Sequence, residues 1–319
     1  MKPLSPTAPR VAAAIATYRR EKELGRLLHR LNQSKTPLLG GIFVADNAAS
    51  SATEAVCQES PLPVHWLARS NNDGPGAAWN TAIRKALQDP EVTHVLVLDD
   101  DVVVAPEALS GLLEVIGGHG AAAPLLFDGQ GSLWGFPEPT DPSLREAIRQ
   151  MRAPEQCGAV FGEEAHPFCW ATGACMLYTR EAFEQAGYFR EDFWMLGEDL
   201  ELSMRVASML GGVFTAQVAV PHLPPPPEDA KASGAAHRAK FLSLLQNLSY
   251  LSFHSPHRAH LRSYLGGNFK RYLQTEGLSA GALWDGMCAF SLGALRRQPA
   301  GTAAGIRLRE RAKQRFGSG

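Results

Sequence analysis

Between Arg10 and Phe127, short apolar runs rich in β-branched residues alternate with helix-length amphipathic stretches. A chain satisfies that rhythm by laying strands side by side in a mainly parallel sheet and covering them with helices, so this half is α/β. The spacing predicts strands over 11–17, 41–45, 64–68, 94–98 and 121–127 and helices over 21–32, 76–88 and 106–116. The last of these is opened by Pro106, suited to a first turn because its missing N–H has no intrahelical partner to lose. Ligands of such sheets collect beyond the carboxyl ends of the strands. That rule directs attention to Thr17, Asp46, Arg69 and the run Asp99 to Asp101.

Beyond this half, residues 128–167 are polar, proline-bearing and weakly periodic, an insertion with one helix at 144–151. An apolar segment at 168–178, helices over 180–186 and 198–210, and a strand over 213–220 follow. Four prolines, Pro224 to Pro227, cannot continue a helix or a central strand, and 235–253 and 280–295 read as helices. The chain has 319 residues, 45% hydrophobic and 20% charged, enough for one large or two small packed domains and incompatible with disorder. A net charge of −1 gives no global basic field, so nucleic acid is not an expected partner. No apolar run approaches the roughly 20 residues that span a bilayer, and the first ten residues lack the apolar stretch of a signal peptide. The expectation is a cytoplasmic protein, soluble or peripheral on a membrane. Five scattered cysteines without a CxxC pair indicate neither a disulfide framework nor a zinc cage.

Four constellations carry chemistry. An apolar strand from His94 discharges three consecutive carboxylates, Asp99, Asp100 and Asp101. Adjacent like charges repel, and a hard divalent cation with oxygen ligands reverses that cost. Alternation along a strand lets Asp99 and Asp101 share such an ion while Asp100 faces elsewhere; a solvated acidic turn is the plain alternative. Glu198 and Asp199 open a helix, where its dipole alone would favour them. An aromatic loop with Phe189, Phe193 and Trp194 lies just upstream, however, and a carboxylate there could serve as general base toward a hydroxyl. His222 stands just past a strand end, as a metal ligand or as an ordinary packed histidine. Finally, Arg69, Asn72, Gly74, Gly76 and Asn80 surround a helix entry that suits a phosphate, without the spacing of a dinucleotide or Walker loop.

Taken in order, the segments Ala16 to Arg20, Val44 to Ser50, Asn72 to Asn80, Asp99 to Asp101, Glu198-Asp199 and His222 resemble the inverting family 2 glycosyltransferases, closest to the bacterial galactofuranosyl- and rhamnosyltransferase branch. The resemblance covers roughly residues 10 to 250. It implies a nucleotide-diphosphosugar transferase fold of Rossmann-like kind, a mixed, mainly parallel sheet flanked by helices, with a C-terminal helical extension. Residues 1–225 would form the transferase domain, with a donor half over 10–127 and an acceptor half over 128–225, and 226–319 a helical region with a basic tail. It also implies a UDP- or dTDP-sugar donor held by Thr17, Arg19, Asp46, Asn47, Arg69, Asn72, Gly74, Asn80, Asp99 and Asp100. Mn2+ or Mg2+ would sit on Asp99, Asp101 and His222. Asp199 would be the base, with Glu198 beside it, and Trp170, Gly173, Trp194 and His237 would face a glycan or lipid-linked glycan acceptor. The pattern departs from the family at Arg19, where asparagine is usual, at Ala77, Ala78 and Ala82, where glycine is common, and at Gln246-Asn247 in place of an Arg-Asn pair.

Residues 296–319 carry seven basic side chains against Glu310, a net +6 that leaves −7 on residues 1–295. Before them, Leu283, Trp284, Met287, Phe290 and Leu295 fall at helical spacing. An apolar helical face followed by a basic tail suits an anionic membrane surface, and equally an ordinary core with a solubilising tail. Other classes remain open on the residues alone. A magnesium-dependent phosphatase would explain Asp99 and Asp101 but place its aspartate after the first strand. A sugar-phosphate nucleotidyltransferase would show a Gly-rich phosphate loop where this chain has Thr17 to Arg20. A non-catalytic carbohydrate-binding protein would have little use for two acidic clusters and His222.

Overall fold

The computed structural model describes residues 9–151, 154–223, 234–255, 257–276 and 280–295. The predicted alternation is realised strand by strand as β1 (Val11–Thr17), α1 (Glu21–Asn32), β2 (Ile42–Asp46), α2 (Ser51–Gln58), β3 (Val64–Ala68), α3 (Pro75–Ala86), β4 (His94–Asp99), α4 (Ala108–Ile116) and β5 (Ala121–Phe127). All seven residues of β1 are buried, four of them alanine. The α3 helix answers with its own buried alanines, Ala77, Ala78, Ala82 and Ala86, and packs on β1. Small residues on both surfaces bring helix and strand backbones close. On the α1 helix, Leu24, Leu27, Leu28 and Leu31 recur at i, i+3, i+4 and i+7 and are buried, each such leucine stabilising the fold by about 1.5–3 kcal/mol.

Two elements of this half differ from the sequence expectation. The α2 helix is too short to show a stripe; the Ser50 hydroxyl starts it by accepting from the Ala52 N–H. The α4 helix begins at Ala108 rather than 106, since Ala105 and Pro106 form a turn ahead of it.

The insertion is more ordered than its composition suggests. It holds β6 (Leu133–Gly135), β7 (Glu138–Pro139), α5 (Pro142–Gln150), a 3-10 turn at Pro154–Gln156 and α6 (Cys157–Phe161). The Asp141 side chain accepts from the Ser143 N–H and starts α5 two residues earlier than the pattern indicated. The apolar stretch 168–178 divides into β8 (Ala165–Trp170) and β9 (Cys175–Thr179), followed by α7 (Arg180–Ala186), α8 (Glu198–Leu210) and β10 (Gly212–Pro221).

The sheet runs β3-β2-β1-β4-β9-β5-β10-β8-β7, with β6 on β5. Strands β3, β2, β1 and β4 are parallel to one another, and β5 pairs parallel with β10. Strand β9 runs antiparallel between β4 and β5. Register places Thr17 opposite Asp46 and Ala16 opposite Asp99, so the polar residues of three strands leave the sheet along one edge. The β5–β10 pairing ends at Phe127 opposite Pro221, which delivers His222 to the same edge.

The chain divides into two compact units, residues 1–188 with 202–224, and residues 189–201 with 225–319. In the second, α9 (Gly234–His254) packs against α10 (Arg258–Glu276) and α11 (Ala280–Leu295). The Ser249 hydroxyl donates to the Phe290 carbonyl at 2.7 Å, and Gly293 lies so close to α9 that a Cβ would have no room. The α10 helix escaped the sequence reading because its buried positions, Leu261, Leu265, Asn268 and Tyr272, form a narrow stripe broken by a polar residue. Among the described residues, no helix is long and apolar enough to cross a membrane. The basic tail, 296–319, lies outside them.

Candidate functional site

Three segments of the first unit converge where the acidic run leaves β4. The Asp99 N–H donates to the Ala174 carbonyl at 2.9 Å, anchoring the run to β9. Past Asp101 the loop pairs with the end of β10: Val103 N–H to Pro221 O at 2.8 Å, and Leu223 N–H to Asp101 O at 2.9 Å, around a bridge between Val102 and His222. The His222 N–H itself donates to Phe127 O at the end of β5 at 2.6 Å. Backbone bonds to two separate segments therefore fix the histidine.

The side chains divide as strand alternation predicts. Asp99 Oδ2 lies 3.7 Å and Asp101 Oδ1 3.1 Å from His222 Nε2, and one ligand atom from each of the three residues falls within 4.8 Å of the others. Asp100 turns away. Its Oδ2 accepts from the Thr17 hydroxyl at 2.7 Å and its Oδ1 from Arg20 Nη1 at 2.8 Å, and the same Nη1 reaches Asp101 Oδ2 at 2.7 Å.

The electrostatics follow from burial and these partners. Burial pushes the Asp100 carboxyl up to about 7 against the opposing pull of Arg20 and Thr17. Burial raises Asp101 as well, but His222 and Arg20 outweigh it and hold that carboxyl below the usual carboxylate range. Burial alone would lower His222, yet the neighbouring Asp101 and Asp99 carboxylates carry its imidazole up to about 9. Burial likewise opposes a charged Arg20, and the two aspartates more than compensate, raising its pKa. The point between Asp99, Asp101 and His222 therefore attracts a cation.

The donor set fits a divalent metal. Among the described residues the buried Asp101 Oδ1 finds no hydrogen-bond donor despite its closeness to Nε2, and ligands at right angles on an ion 2.1 Å away stand about 3.0 Å apart. Two carboxylate oxygens and an imidazole nitrogen suit Mn2+ or Mg2+.

The remaining donor-side candidates form a scaffold around the β2 and β3 ends. Asp46 is fully buried and its oxygens accept from the Ala48 and Ser50 N–H groups at 2.8 and 2.7 Å. It thereby shapes the turn after β2. Asn47 Nδ2 donates to Gly74 O at 3.1 Å, and Asn47 Oδ1 accepts from Arg69 Nε at 2.8 Å. Arg69 also bonds the Thr81 hydroxyl and lies 3.5 Å from Asp73. Gly74, at φ +91, turns the chain into α3 with Pro75 behind it, and its N–H donates to Asn72 Oδ1 at 3.2 Å. Asn80 is fully buried on α3. Arg19 instead sits outside this network, its guanidinium 5.2 Å above the exposed Tyr18 ring. Its positive φ of 55 turns the chain so that Arg20, which the sequence reading passed over, reaches the acids.

Trp170, proposed on the acceptor side, is buried at 7% exposure, and Gly173 is buried in the turn between β8 and β9. In the second unit, Glu198 and Asp199 open α8 behind a turn at Leu196 and Gly197, with φ of 65 and 96. Asn247 on α9 clamps that turn, its amide donating to Leu196 O at 2.7 Å and Met195 O at 3.3 Å, and Ser243 donates to Met195 O at 2.7 Å. Asn247 is the residue that the Gln246-Asn247 pair shares with the usual Arg-Asn pair. Asp199 Oδ1 accepts from the Leu200 N–H at 2.8 Å, Glu198 is buried and Trp194 half-buried. Arg190, paired with Asp192, lies over the Phe193 and Tyr250 rings and braces the aromatic loop. His237 falls on α9, and its side chain is outside the described residues.

A sheet of this order with an acidic run at its carboxyl edge defines the nucleotide-sugar transferase class of fold, and the mannosyltransferase PcManGT of Pyrobaculum calidifontis, solved with GDP-Man and Mn2+, has the same fold. It is 18% identical with a TM-score of 0.58, over 97% of this chain and 81% of that one. Residues 13–187 match glycosyl transferase family 2, and the chain belongs to that family. It is similar to the low-salt glycan biosynthesis hexosyltransferase Agl10 of Haloferax volcanii, 25% identical over 60% of this chain and 59% of the relative. It is also similar to the N-acetylglucosaminyl-diphospho-decaprenol L-rhamnosyltransferase of Mycobacterium tuberculosis, 27% identical over 60% and 68%. The chain thus spans less than two thirds of the length of the first of these relatives.

Proposed function

We propose that the protein is a metal-dependent, inverting hexosyltransferase that moves a galactofuranose- or rhamnose-type sugar from a UDP- or dTDP-linked donor to a hydroxyl of a glycan or lipid-linked glycan. The observation that carries the reading is the convergence of Asp99, Asp101 and His222 on one point. A divalent ion such as Mn2+ or Mg2+ held there supplies positive charge to the departing nucleoside diphosphate. The chain's own groups do the rest. Arg20 and Thr17 hold Asp100 out of the ligand set, and the Asn47, Arg69 and Gly74 network presents the α3 entry to the donor. Asp199 takes the acceptor hydroxyl's proton as it attacks the anomeric carbon, and a single displacement inverts that carbon.

Family membership favours transfer over phosphatase, nucleotidyltransferase and binding-module alternatives, and the rhamnosyltransferase relative supports a lipid-linked acceptor. Leu283, Met287 and Phe290, spaced along α11, are 44%, 53% and 38% exposed and precede the basic tail. That arrangement supports peripheral docking on anionic lipid at a cytoplasmic membrane face. The side chains of Trp284 and Leu295 are outside the described residues.

Calorimetric titration with UDP and dTDP, each with and without Mn2+, tests the reading. Manganese-dependent binding of either, lost in Asp101→Ala and His222→Ala, supports it and selects the donor sugars to screen. Absence of nucleotide binding under both conditions overturns it.

A further inference from the structure

Histidines that ligate metals usually donate their second ring N–H to a carboxylate or carbonyl, which fixes the ring plane and the tautomer. Among the described residues His222 lacks that device: its Nδ1 is buried and none of them hydrogen-bonds it. Rotation of an imidazole about its Cβ–Cγ bond is intrinsically broad, so another contact must hold Nε2 toward Asp99 and Asp101. The contact present is Trp134, whose ring centroid lies 3.9 Å from that of His222 with the planes 20° apart.

The tryptophan is brought there by a built turn. Asp128 Oδ1 accepts from the Gln130 and Ser132 N–H groups at 2.9 and 2.8 Å, and the Asp128 N–H donates to Ser132 O at 2.8 Å. Gly131, at φ +79, completes the reversal from β5 into β6. Strand β6 then pairs with the end of β5, Phe127 opposite Leu133, and Phe127 is the residue whose carbonyl holds the His222 N–H. Both partners of the stack are thus tied to the end of one strand. Trp134 nevertheless remains 45% exposed, more than a side chain recruited only to fill the core would be.

We propose that Trp134 is a positioning residue for the metal site, holding the His222 imidazole in the plane that aims Nε2 at the ion. The stack replaces the missing hydrogen bond at Nδ1. The inference rests on the metal-dependent reading above and deepens it.

The test compares Mn2+ binding by the full chain and by Trp134→Phe, Trp134→Leu, Trp134→Gln and His222→Ala, measured from the free Mn2+ signal in electron paramagnetic resonance. Pulsed measurements on the bound ion report directly coordinated nitrogen. Trp134→Leu and Trp134→Gln should lose about tenfold or more in affinity and most of the nitrogen modulation, as loss of an outer-shell partner does, while Trp134→Phe keeps both. The thermal unfolding midpoint in chelator should stay the same in the three Trp134 variants, and two non-aromatic variants guard against one that folds poorly. Wild-type affinity and nitrogen modulation in Trp134→Leu and Trp134→Gln would overturn the proposal, as would an equal loss in Trp134→Phe. A wild-type chain that binds no Mn2+ would overturn the metal reading itself, a result distinguishable from either.

Discussion

Arg20 is the cation that lets three consecutive aspartates fold together, and replacing it with methionine isolates that role because the stem's apolar length is kept. The guanidinium is 28% exposed, while the Asp100 and Asp101 side chains it meets are 5% and 6% exposed. Removing one partner of a fully buried ion pair costs about 3–5 kcal/mol. Arg20 keeps a quarter of its surface in water and His222 still faces Asp101, so the cost falls below that range, to about 2–3 kcal/mol. For a chain of this size that is a fall of about 4–8 °C in the unfolding midpoint, read by differential scanning fluorimetry in EDTA. The same scan with saturating Mn2+ adds the decisive arm. If Arg20 acts by compensating charge, a divalent cation at the neighbouring point should restore most of the loss, because without the guanidinium the aspartates bind the ion more tightly and tighter binding adds more stability to the folded state. An equal loss with and without Mn2+ would refute the charge argument, and an unshifted midpoint in EDTA would refute the burial argument beneath it.

Three further outcomes are expected. Asp199→Asn should keep UDP or dTDP binding in calorimetry and lose transfer by several hundredfold or more, on the order of what removal of a general base costs; retained turnover would remove Asp199 from that role. Asn247→Leu removes the amide donor to the Leu196 carbonyl and should cost about 1–3 kcal/mol, seen in urea unfolding and in faster proteolysis of the turn at 195–197. Burial lowers the His94 pKa below that of a free imidazole, so the unfolded chain binds the proton more readily. The contribution of His94 is complete above the unfolded value of about 6.5 and is lost as pH falls through the folded one. His94→Gln should therefore flatten the fall in stability between neutral and mildly acid pH, and an unchanged slope would count against this.

Strands β1, β4 and β5 were legible because each is an unbroken apolar run between polar stretches, and the partition of the acidic run followed from strand alternation alone. Other features depend on backbone angles or on contacts that no local pattern carries. Nothing in Tyr18-Arg19-Arg20 says which arginine turns inward; that is decided by the positive φ at Arg19. Trp134 lies in a stretch read as insertion, yet the Asp128, Gly129 and Gly131 spacing is turn chemistry, and a hairpin there would have drawn attention to the aromatic that follows. Asp46 was read as a ligand contact because of its place at a strand end, and its carboxylate also accepts from the Ala48 and Ser50 amides and the Trp66 indole. Asp, at the end of a strand, serves turns as readily as substrates.

His222 shows why a site can be visible by resemblance and invisible by spacing. Strand β10 begins with Gly212 opposite Ala121 and ends with Pro221 opposite Phe127, with the register shifting between Phe214 and Ala219. Three extra residues are therefore absorbed by β10 along its length. In an unbroken ladder Val218 would face Phe127, and His222 would emerge about 10 Å further along, beyond reach of Asp101. The irregularity is held by local bonds, Gln217 N–H to the Thr215 hydroxyl at 3.1 Å among them, and by Val218 packed where Gly111 of α4 leaves no room for a Cβ. The distance between the third ligand and the first two is thus set by a bulge and by a glycine on a neighbouring helix. Bulges beside active sites re-aim side chains in this way. The sequence lists the ligands, but their meeting is a consequence of sheet register.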